Sequence, residues 1–106
     1  MDSTTEDVLK KLKSRLVAVY GRRLIRLMLF GSRARGDFEP DSDVDVAIVL
    51  EGPFEYWEEL KRSSETVAEL CLEEDVVISR ILLTREEAEK SRHPVAAAIR
   101  REGLAV

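Results

Sequence analysis

The feature that most constrains this chain is a short apolar run, residues 44–50 (VDVAIVL), with an aspartate on each side of its first valine. Side chains on a strand alternate between its two faces, so Asp43 and Asp45 point one way and the neighbouring valines point the other. Two carboxylates this close repel, and each raises the pKa of the other unless a cation lies between them. The run therefore predicts a strand with one core face and, at its beginning, a cation site on the other face.

Apolar periodicity on both sides of this strand predicts an alternation of helices and strands. We predict helices over 4–20, 54–72, 85–90 and 94–101, and further strands over 24–30 and 75–83. Ser3 with Glu6 and Thr84 with Glu87 have the spacing of capping boxes, and Gly21 suits a helix stop. The first two strands are joined by about a dozen residues without an obvious crossover helix, which favours an antiparallel pair. The expected fold class is α/β (α+β), a small mixed β-sheet flanked by helices.

Composition sets the outer limits. The 106 residues, 44% of them hydrophobic, suit one domain over 1–106. The net charge of −4 does not indicate nucleic acid as a partner, although residues 1–35 hold nine Lys or Arg against three Asp or Glu. Cys71 is the only cysteine, which predicts a reducing, cytoplasmic location without disulfides. No apolar run approaches the roughly 20 residues that span a bilayer, so no membrane is expected.

The segment before the acidic strand has the residues that anions bind. Gly31 and Ser32 follow the strand over 24–30, where a residue without a Cβ lets the backbone approach a phosphate closely. The Ser32 hydroxyl and nearby N–H groups can bind phosphate oxygens, and Arg33 and Arg35 add positive charge. Oxygen ligands without Cys or His suit Mg²⁺ or Mn²⁺, which fill their coordination shells with water and substrate phosphates. The combination indicates a site for a metal–nucleoside triphosphate.

The joint pattern is more specific than either half. Residues 31–36 (GSRARG), a short spacer and residues 42–45 (SDVD) resemble the signature of the DNA polymerase β-like nucleotidyltransferase superfamily, and the chain length resembles its minimal nucleotidyltransferases. The resemblance implies that Gly31 and Ser32 hold the triphosphate of ATP or another NTP, and that Asp43 and Asp45 ligate metal. It implies transfer of a nucleoside monophosphate to a hydroxyl. Many such proteins pair with a HEPN-domain protein as antitoxin and toxin, and some adenylylate that partner.

The sequence departs from this signature at the third carboxylate. The superfamily usually has one on the next strand, as base or metal ligand, and the candidate here is Asp75. It stands at the start of the strand predicted over 75–83, whereas the acid is expected nearer Val77 or Ser79. Asp75 therefore has two interpretations, a catalytic acid or a charge where the strand begins. If it is the latter, the protein is a weak or inactive antitoxin module that binds nucleotide or partner.

Other residues are assigned structural roles. His93, the only histidine, is predicted to lie on the surface, and Cys71 on the apolar side of a helix. Trp57 is predicted to pack on the sheet. A chain this short has no room for a separate acceptor domain, so a partner protein or a second copy of the chain is expected to complete the cleft.

Overall fold

The structure is a computed structural model that describes residues 2–106. A 3₁₀ turn, Gly21–Arg23, joins the first helix to the first strand. In the described part of the chain the helices are α1 Ser3–Tyr20, α2 Ser32–Arg35, α3 Tyr56–Glu74, α4 Arg85–Lys90 and α5 Pro94–Glu102. The strands are β1 Leu24–Phe30, β2 Val44–Leu50, β3 Ile78–Thr84 and β4 Leu104–Ala105.

The four strands form one mixed sheet in the order β3-β2-β1-β4. β1 pairs antiparallel with β2 and with β4, whereas β2 and β3 are parallel. The α3 helix provides the crossover that a parallel pair requires. The predicted mixed sheet with an antiparallel first pair is therefore confirmed. Strand β2, which begins directly after Asp43, lies between β3 and β1 in this sheet.

One face of the sheet carries the main core. α1 and α3 lie on this face, and their apolar side chains bury those of alternate strand positions. The alternation anticipated for β2 is observed: Val44, Val46 and Ile48 are fully buried, while Asp45 is partly exposed on the other face. The core members supplied by the three long strands are Leu27, Leu29, Val44, Val46, Ile48, Leu50, Ile78 and Leu82. This packing fixes the twist and position of β2, and with them the direction in which its acidic side chains point.

The opposite face is covered only in part. α5 packs on β1 there and buries Ala96 and Ile99. Arg100 ties α5 to α4 by donating to the carbonyls of Ala88 at 3.0 Å and Ser91 at 2.5 Å. The beginning of β2, where Asp45 stands, is left partly open to solvent.

Several predicted element ends are confirmed and others are corrected. The bounds of β1 and β2 agree with the sequence prediction, and Gly21 ends α1 with a φ of 57°. Thr84 and Glu87 form the expected reciprocal capping box. The capping box predicted at Ser3 is wrong, because Asp2 is the N-cap of α1 and its side chain makes no capping bond.

The largest correction concerns the third strand, which begins at Ile78 and not at residue 75. Asp75 is the C-cap of α3, in the left-handed region with a φ of 52°, and its amide donates to Cys71 O. Trp57 does not pack on the sheet as predicted, because 69% of it is exposed and its ring meets only the edge of Tyr56. His93 is exposed as predicted, and it caps α5 by accepting a hydrogen bond from Val95 N–H.

The short strand β4 has no strong sequence signal and was not predicted. It pairs through Leu104 with Leu29 of β1. Among residues 2–106, no helix combines the length and the apolar character that crossing a membrane requires.

Candidate active site

The acidic pair lies at the edge of the sheet where β2 begins. Asp43 precedes the strand and is exposed, whereas Asp45 is its second residue and is half-buried. Val44 anchors the segment between them, because its side chain is fully buried and its N–H donates to Val77 O at 2.8 Å. The two carboxylates thus share one face, held by a strand that has little freedom to shift.

Gly31 lies directly against the second of these carboxylates. It follows β1, whose last residue, Phe30, is the antiparallel partner of Asp45. Its φ is 74°, which side chains disfavour, and a Cβ built on it would overlap Asp45 Oδ2 and stand 3.1 Å from Asp45 Cγ. Only glycine therefore lets the turn after β1 pass this close to the carboxylate.

The turn itself is a short helical segment, α2. Gly31 O accepts hydrogen bonds from Ala34 N and Arg35 N, both at 3.1 Å, and Gly36 closes the turn with a φ of 84°. The first N–H groups of a helical turn have no partner within the turn. Ser32 is the first residue of α2, so its amide N–H is one of these groups without a partner in the turn. Its hydroxyl lies on the same residue, where the sequence predicts phosphate binding.

The electrostatic environment of Asp45 is unfavourable to its own charge. Burial is the main cause that raises the pKa of its carboxyl, and the negative charge of Asp43 raises it further, while Arg35 acts in the opposite direction. A group whose ionised form is destabilised by a like charge gains from a cation placed between the two. The pair is therefore arranged to bind positive charge.

The two arginines of the turn have different environments. Arg35 is exposed, and its guanidinium donates to Asp37 at 3.2 Å and to Glu102 of α5 at 3.1 Å. Its charge reaches Asp45, as the pKa effect indicates. The Asp37 and Glu102 carboxylates that pair with Arg35 are themselves partly solvated. An incoming phosphate could therefore replace them as the partner of this guanidinium.

Arg33, the other arginine predicted to bind phosphate, points into the protein. It is only 5% exposed, and its guanidinium donates to protein oxygens, those of Thr5, Pro40 and Ser42. Most of its five N–H donors are therefore engaged by the protein itself. The Glu102 contact of Arg35 and the enclosure of Arg33 were both missed, because neither has a local signal in the sequence.

The third predicted acid is not brought to the pair. The parallel register sets Ser79 beside Asp45, and the position two residues earlier, beside Asp43, is Val77, which is 60% exposed. Asp75 lies before the strand, at the end of α3. Within residues 2–106, no group of three or more His, Cys, Asp or Glu side chains is placed to hold a metal ion.

The residues present nevertheless fit Mg²⁺ as it binds in phosphate-transfer sites. Mg²⁺ is usually held by one or two carboxylates, with waters and substrate phosphates as the remaining ligands. Asp43 and Asp45 supply two carboxylates, and burial together with the negative charge of Asp43 raises the pKa of Asp45, a repulsion that a cation between the two would relieve. The adjacent turn, which begins with Gly31 and Ser32, lies directly against the Asp45 carboxylate.

Comparison with known proteins identifies the same kind of domain. The nucleotidyltransferase domain family matches residues 6–104. Two candidate protein adenylyltransferases of Methanocaldococcus jannaschii are similar in sequence. One, MJ0604, is 35% identical over 81 residues, which are 76% of this chain and 75% of that protein. The other, MJ0141, is 32% identical over 76 residues, or 72% and 76% of the two chains.

Solved structures share the fold at low sequence identity. A candidate nucleotidyltransferase from Sulfolobus solfataricus superposes with a TM-score of 0.64 at 19% identity, over 99% of this chain and 87% of that one. A toxin–antitoxin structure with AMP-PNP has a TM-score of 0.63 at 16% identity, over 91% and 69% of the two chains. A mutant of the toxin–antitoxin MntA–HpeT has a TM-score of 0.61 at 15% identity, over 92% and 70%.

The match over nearly the whole chain agrees with the mixed sheet, the glycine–serine turn and the acidic strand described above. This chain belongs to the nucleotidyltransferase domain family, as one of its minimal nucleotidyltransferases.

Proposed function

We propose that this protein transfers a nucleoside monophosphate, AMP from ATP, to a hydroxyl group of a partner protein and releases pyrophosphate. The observation that carries the proposal is the contact between Gly31 and the Asp45 carboxylate. In this proposal the turn beginning at Gly31 holds phosphate and the acidic pair holds a cation, and their closeness supports one metal–triphosphate engaging both. Phosphoryl and nucleotidyl transfer depend mainly on such positioning and on neutralising charge.

Each residue of the site has a distinct role in this proposal. Asp43 and Asp45 hold Mg²⁺, which when bound neutralises charge on the phosphates. The backbone of Gly31 and the amide and hydroxyl of Ser32 hold phosphate oxygens, and Arg35 adds positive charge. The acceptor hydroxyl gives its proton to solvent water as its oxygen bonds to the α-phosphorus, while the bond from that phosphorus to the bridging oxygen breaks and pyrophosphate leaves.

The relatives support a protein as acceptor. The two Methanocaldococcus proteins carry the name of protein adenylyltransferases, and similar folds occur in toxin–antitoxin structures, one of them with an ATP analogue. We therefore propose a toxin partner of the HEPN class, acting with this chain in the cytoplasm, where the single Cys71 stays reduced.

A second function is favoured by one observation, the neutral side chains where β3 begins. With Val77, the residue before β3, and Ser79, its second residue, where an acid is expected, the chain can be a module that binds nucleotide and partner without transfer. The two functions differ in whether label from ATP becomes covalently attached, which the first experiment below measures.

The first prediction concerns transfer itself. ATP labelled at the α-phosphate, Mg²⁺ and the co-expressed partner are expected to yield labelled partner, and Asp43→Ala is expected to lower the rate at least about 100-fold, because a metal ligand is lost. Asp41→Ala, in the same loop but away from the pair, serves as the control. A tight complex in which no label is transferred would exclude the enzyme and leave the binding module.

The second prediction compares two glycines that both lie at positive φ but have different surroundings. Gly36 is in the left-handed helical region (φ 84°, ψ 8°), where a side chain costs roughly 1–2 kcal/mol of stability. Gly31 (φ 74°, ψ −158°) lies in a region that essentially only glycine adopts, so Gly31→Ala is expected to cost more, and binding is compared at a temperature at which both variants are folded. Only a side chain at Gly31 meets the Asp45 carboxylate, since a Cβ at Gly36 has nothing within 4 Å. Mn²⁺ binding and transfer are expected to be lost in Gly31→Ala and retained in Gly36→Ala. Equal losses in the two variants would show that the contact with Asp45 is not the cause.

The third prediction tests the charge imbalance at Asp45. Because its pKa is raised in the folded protein, the ionised form costs stability at neutral pH, and this cost disappears as pH falls through that pKa. Without metal, Asp45→Asn is expected to raise the Tm of the protein at pH 7, because the substitution removes the destabilised negative charge. The difference should shrink towards pH 4, and Asp41→Asn should show none. A lower Tm for Asp45→Asn at pH 7 would contradict this account.

The fourth prediction concerns the missing acid. Val77→Asp places a carboxylate beside Asp43, at an exposed position that tolerates a polar side chain. If the neutral strand limits catalysis, the transfer rate is expected to rise about tenfold or more, because acid–base catalysis contributes factors of this order. Val77→Asn, of the same size but neutral, should leave the rate unchanged. An unchanged rate in Val77→Asp would show that the acceptor is activated in another way.

A further inference from the structure

Arg33 occupies an unusual position for a charged side chain in a phosphate-binding turn. It is buried, and every nitrogen of its guanidinium donates to the protein. Nε and Nη2 donate to Ser42 O at 3.1 and 2.7 Å, and Nη2 also reaches Pro40 O at 3.3 Å. Nη1 donates at 2.8 Å to the hydroxyl of Thr5, which is fully buried in α1. The guanidinium also lies over the ring of Phe38, 4.8 Å from its centroid.

These contacts join three parts of the chain that are distant in sequence. The backbone of Arg33 belongs to α2, the turn proposed to hold phosphate. Its side chain reaches across to the loop over 37–42, which leads into the acidic strand, and to the first turn of α1. Only a planar group with several fixed donors can bridge two carbonyls and a hydroxyl at once, and a lysine ammonium cannot reproduce that geometry.

The bond to Ser42 O bears directly on the metal ligands. Ser42 is the residue before Asp43, and on the other side of Asp43 the Val44 N–H is bonded to Val77 O. Asp43 therefore lies between two fixed backbone points, one held by Arg33 and one by Val77, the residue before β3. Its side chain is exposed, so packing contributes little to its position. Without Arg33, the preceding loop keeps the turn in which Ser42 N donates to Glu39 O at 3.0 Å and Glu39 N donates to Ser42 Oγ at 2.9 Å, but neither bond engages the Ser42 carbonyl next to Asp43.

We propose that Arg33 is a positioning residue of the cation site: its side chain holds the Asp43 loop at a set distance from the phosphate-binding turn. The inference deepens the proposed function and rests on it, because it takes Asp43 and Asp45 as the cation ligands. It assigns to this arginine a role different from the phosphate contact that its place in the GSRARG segment indicates. The backbone of Arg33 belongs to the turn proposed to hold phosphate, and its side chain holds the loop that carries the metal ligand Asp43.

The test compares cation binding in the absence of nucleotide. Mn²⁺ is titrated into the full chain, followed by water proton relaxation, at a temperature at which thermal melting shows every variant to be folded. Arg33→Lys keeps the charge but loses the bridging geometry, and Thr5→Val removes the acceptor on α1, far along the chain from the acidic pair. Arg22→Met, which alters an exposed arginine outside the site, is the control. Amide hydrogen exchange of residues 37–43 is measured on the same samples.

If the inference is right, Arg33→Lys weakens Mn²⁺ binding about tenfold or more, in the range seen when a group that orients a metal ligand is removed. Thr5→Val weakens it to a smaller extent, hydrogen exchange over 37–43 accelerates in both, and Arg22→Met matches the wild type. Wild-type Mn²⁺ affinity in a folded Arg33→Lys, with weaker nucleotide binding only, overturns the inference and restores a phosphate role. A wild-type protein that binds no Mn²⁺ overturns the cation site, and with it both this inference and the proposed mechanism.

Discussion

The close approach of Gly31 to the Asp45 carboxylate is the constraint on which the site depends. Because β1 and β2 pair antiparallel, the end of β1 lies beside the beginning of β2. At this edge the chain leaves the sheet after Phe30 and enters it again near Asp45. A side chain at the turn would displace the carboxylate, so the absence of a Cβ lets the turn proposed to bind phosphate lie directly against an oxygen proposed to bind the cation. A turn that attracts anions and a carboxylate pair that attracts cations can both bind a ligand that carries charges of both signs. A metal-bound triphosphate is such a ligand.

Holding the Asp45 carboxylate partly buried and close to Asp43 destabilises its ionised form, and packing in the rest of the fold offsets this cost. Asp45 is partly buried beside a second negative charge, and its pKa is raised for that reason. The strand stays in place because its alternate residues, Val44 among them, are fully buried against α1 and α3. The buried guanidinium of Arg33 holds the adjacent loop through carbonyl groups and adds positive charge behind the turn. A rigid support of this kind maintains two repelling carboxylates in one place before any cation arrives.

The local pattern of the sequence was sufficient for the elements and the acidic pair. Alternation placed Asp43 and Asp45 on one face and the valines on the other, and β1 and β2 begin and end where their apolar runs do. Prediction failed where the outcome depends on contacts between distant residues. Asp75 looked like the first residue of a strand but terminates α3, because the chain needs a left-handed residue to turn there. Trp57 fell on an apolar helical pattern, yet α3 presents another side to the sheet and leaves it exposed.

The sequence by itself was sufficient for the resemblance to the family, which residues 31–36 and 42–45 carry. It was also sufficient for the order of the long elements and the position of the glycine–serine turn and acidic strand, because these follow from spacing within a few residues. Tertiary structure decided what the flanking charges do. Two arginines two residues apart look equivalent in sequence, but Arg33 points into the interior between α1 and the acidic loop, whereas Arg35 points outward to Glu102 of α5. The direction of a side chain on a short helical turn is set by what packs around it. In this protein those neighbours come from elements near the opposite ends of the chain.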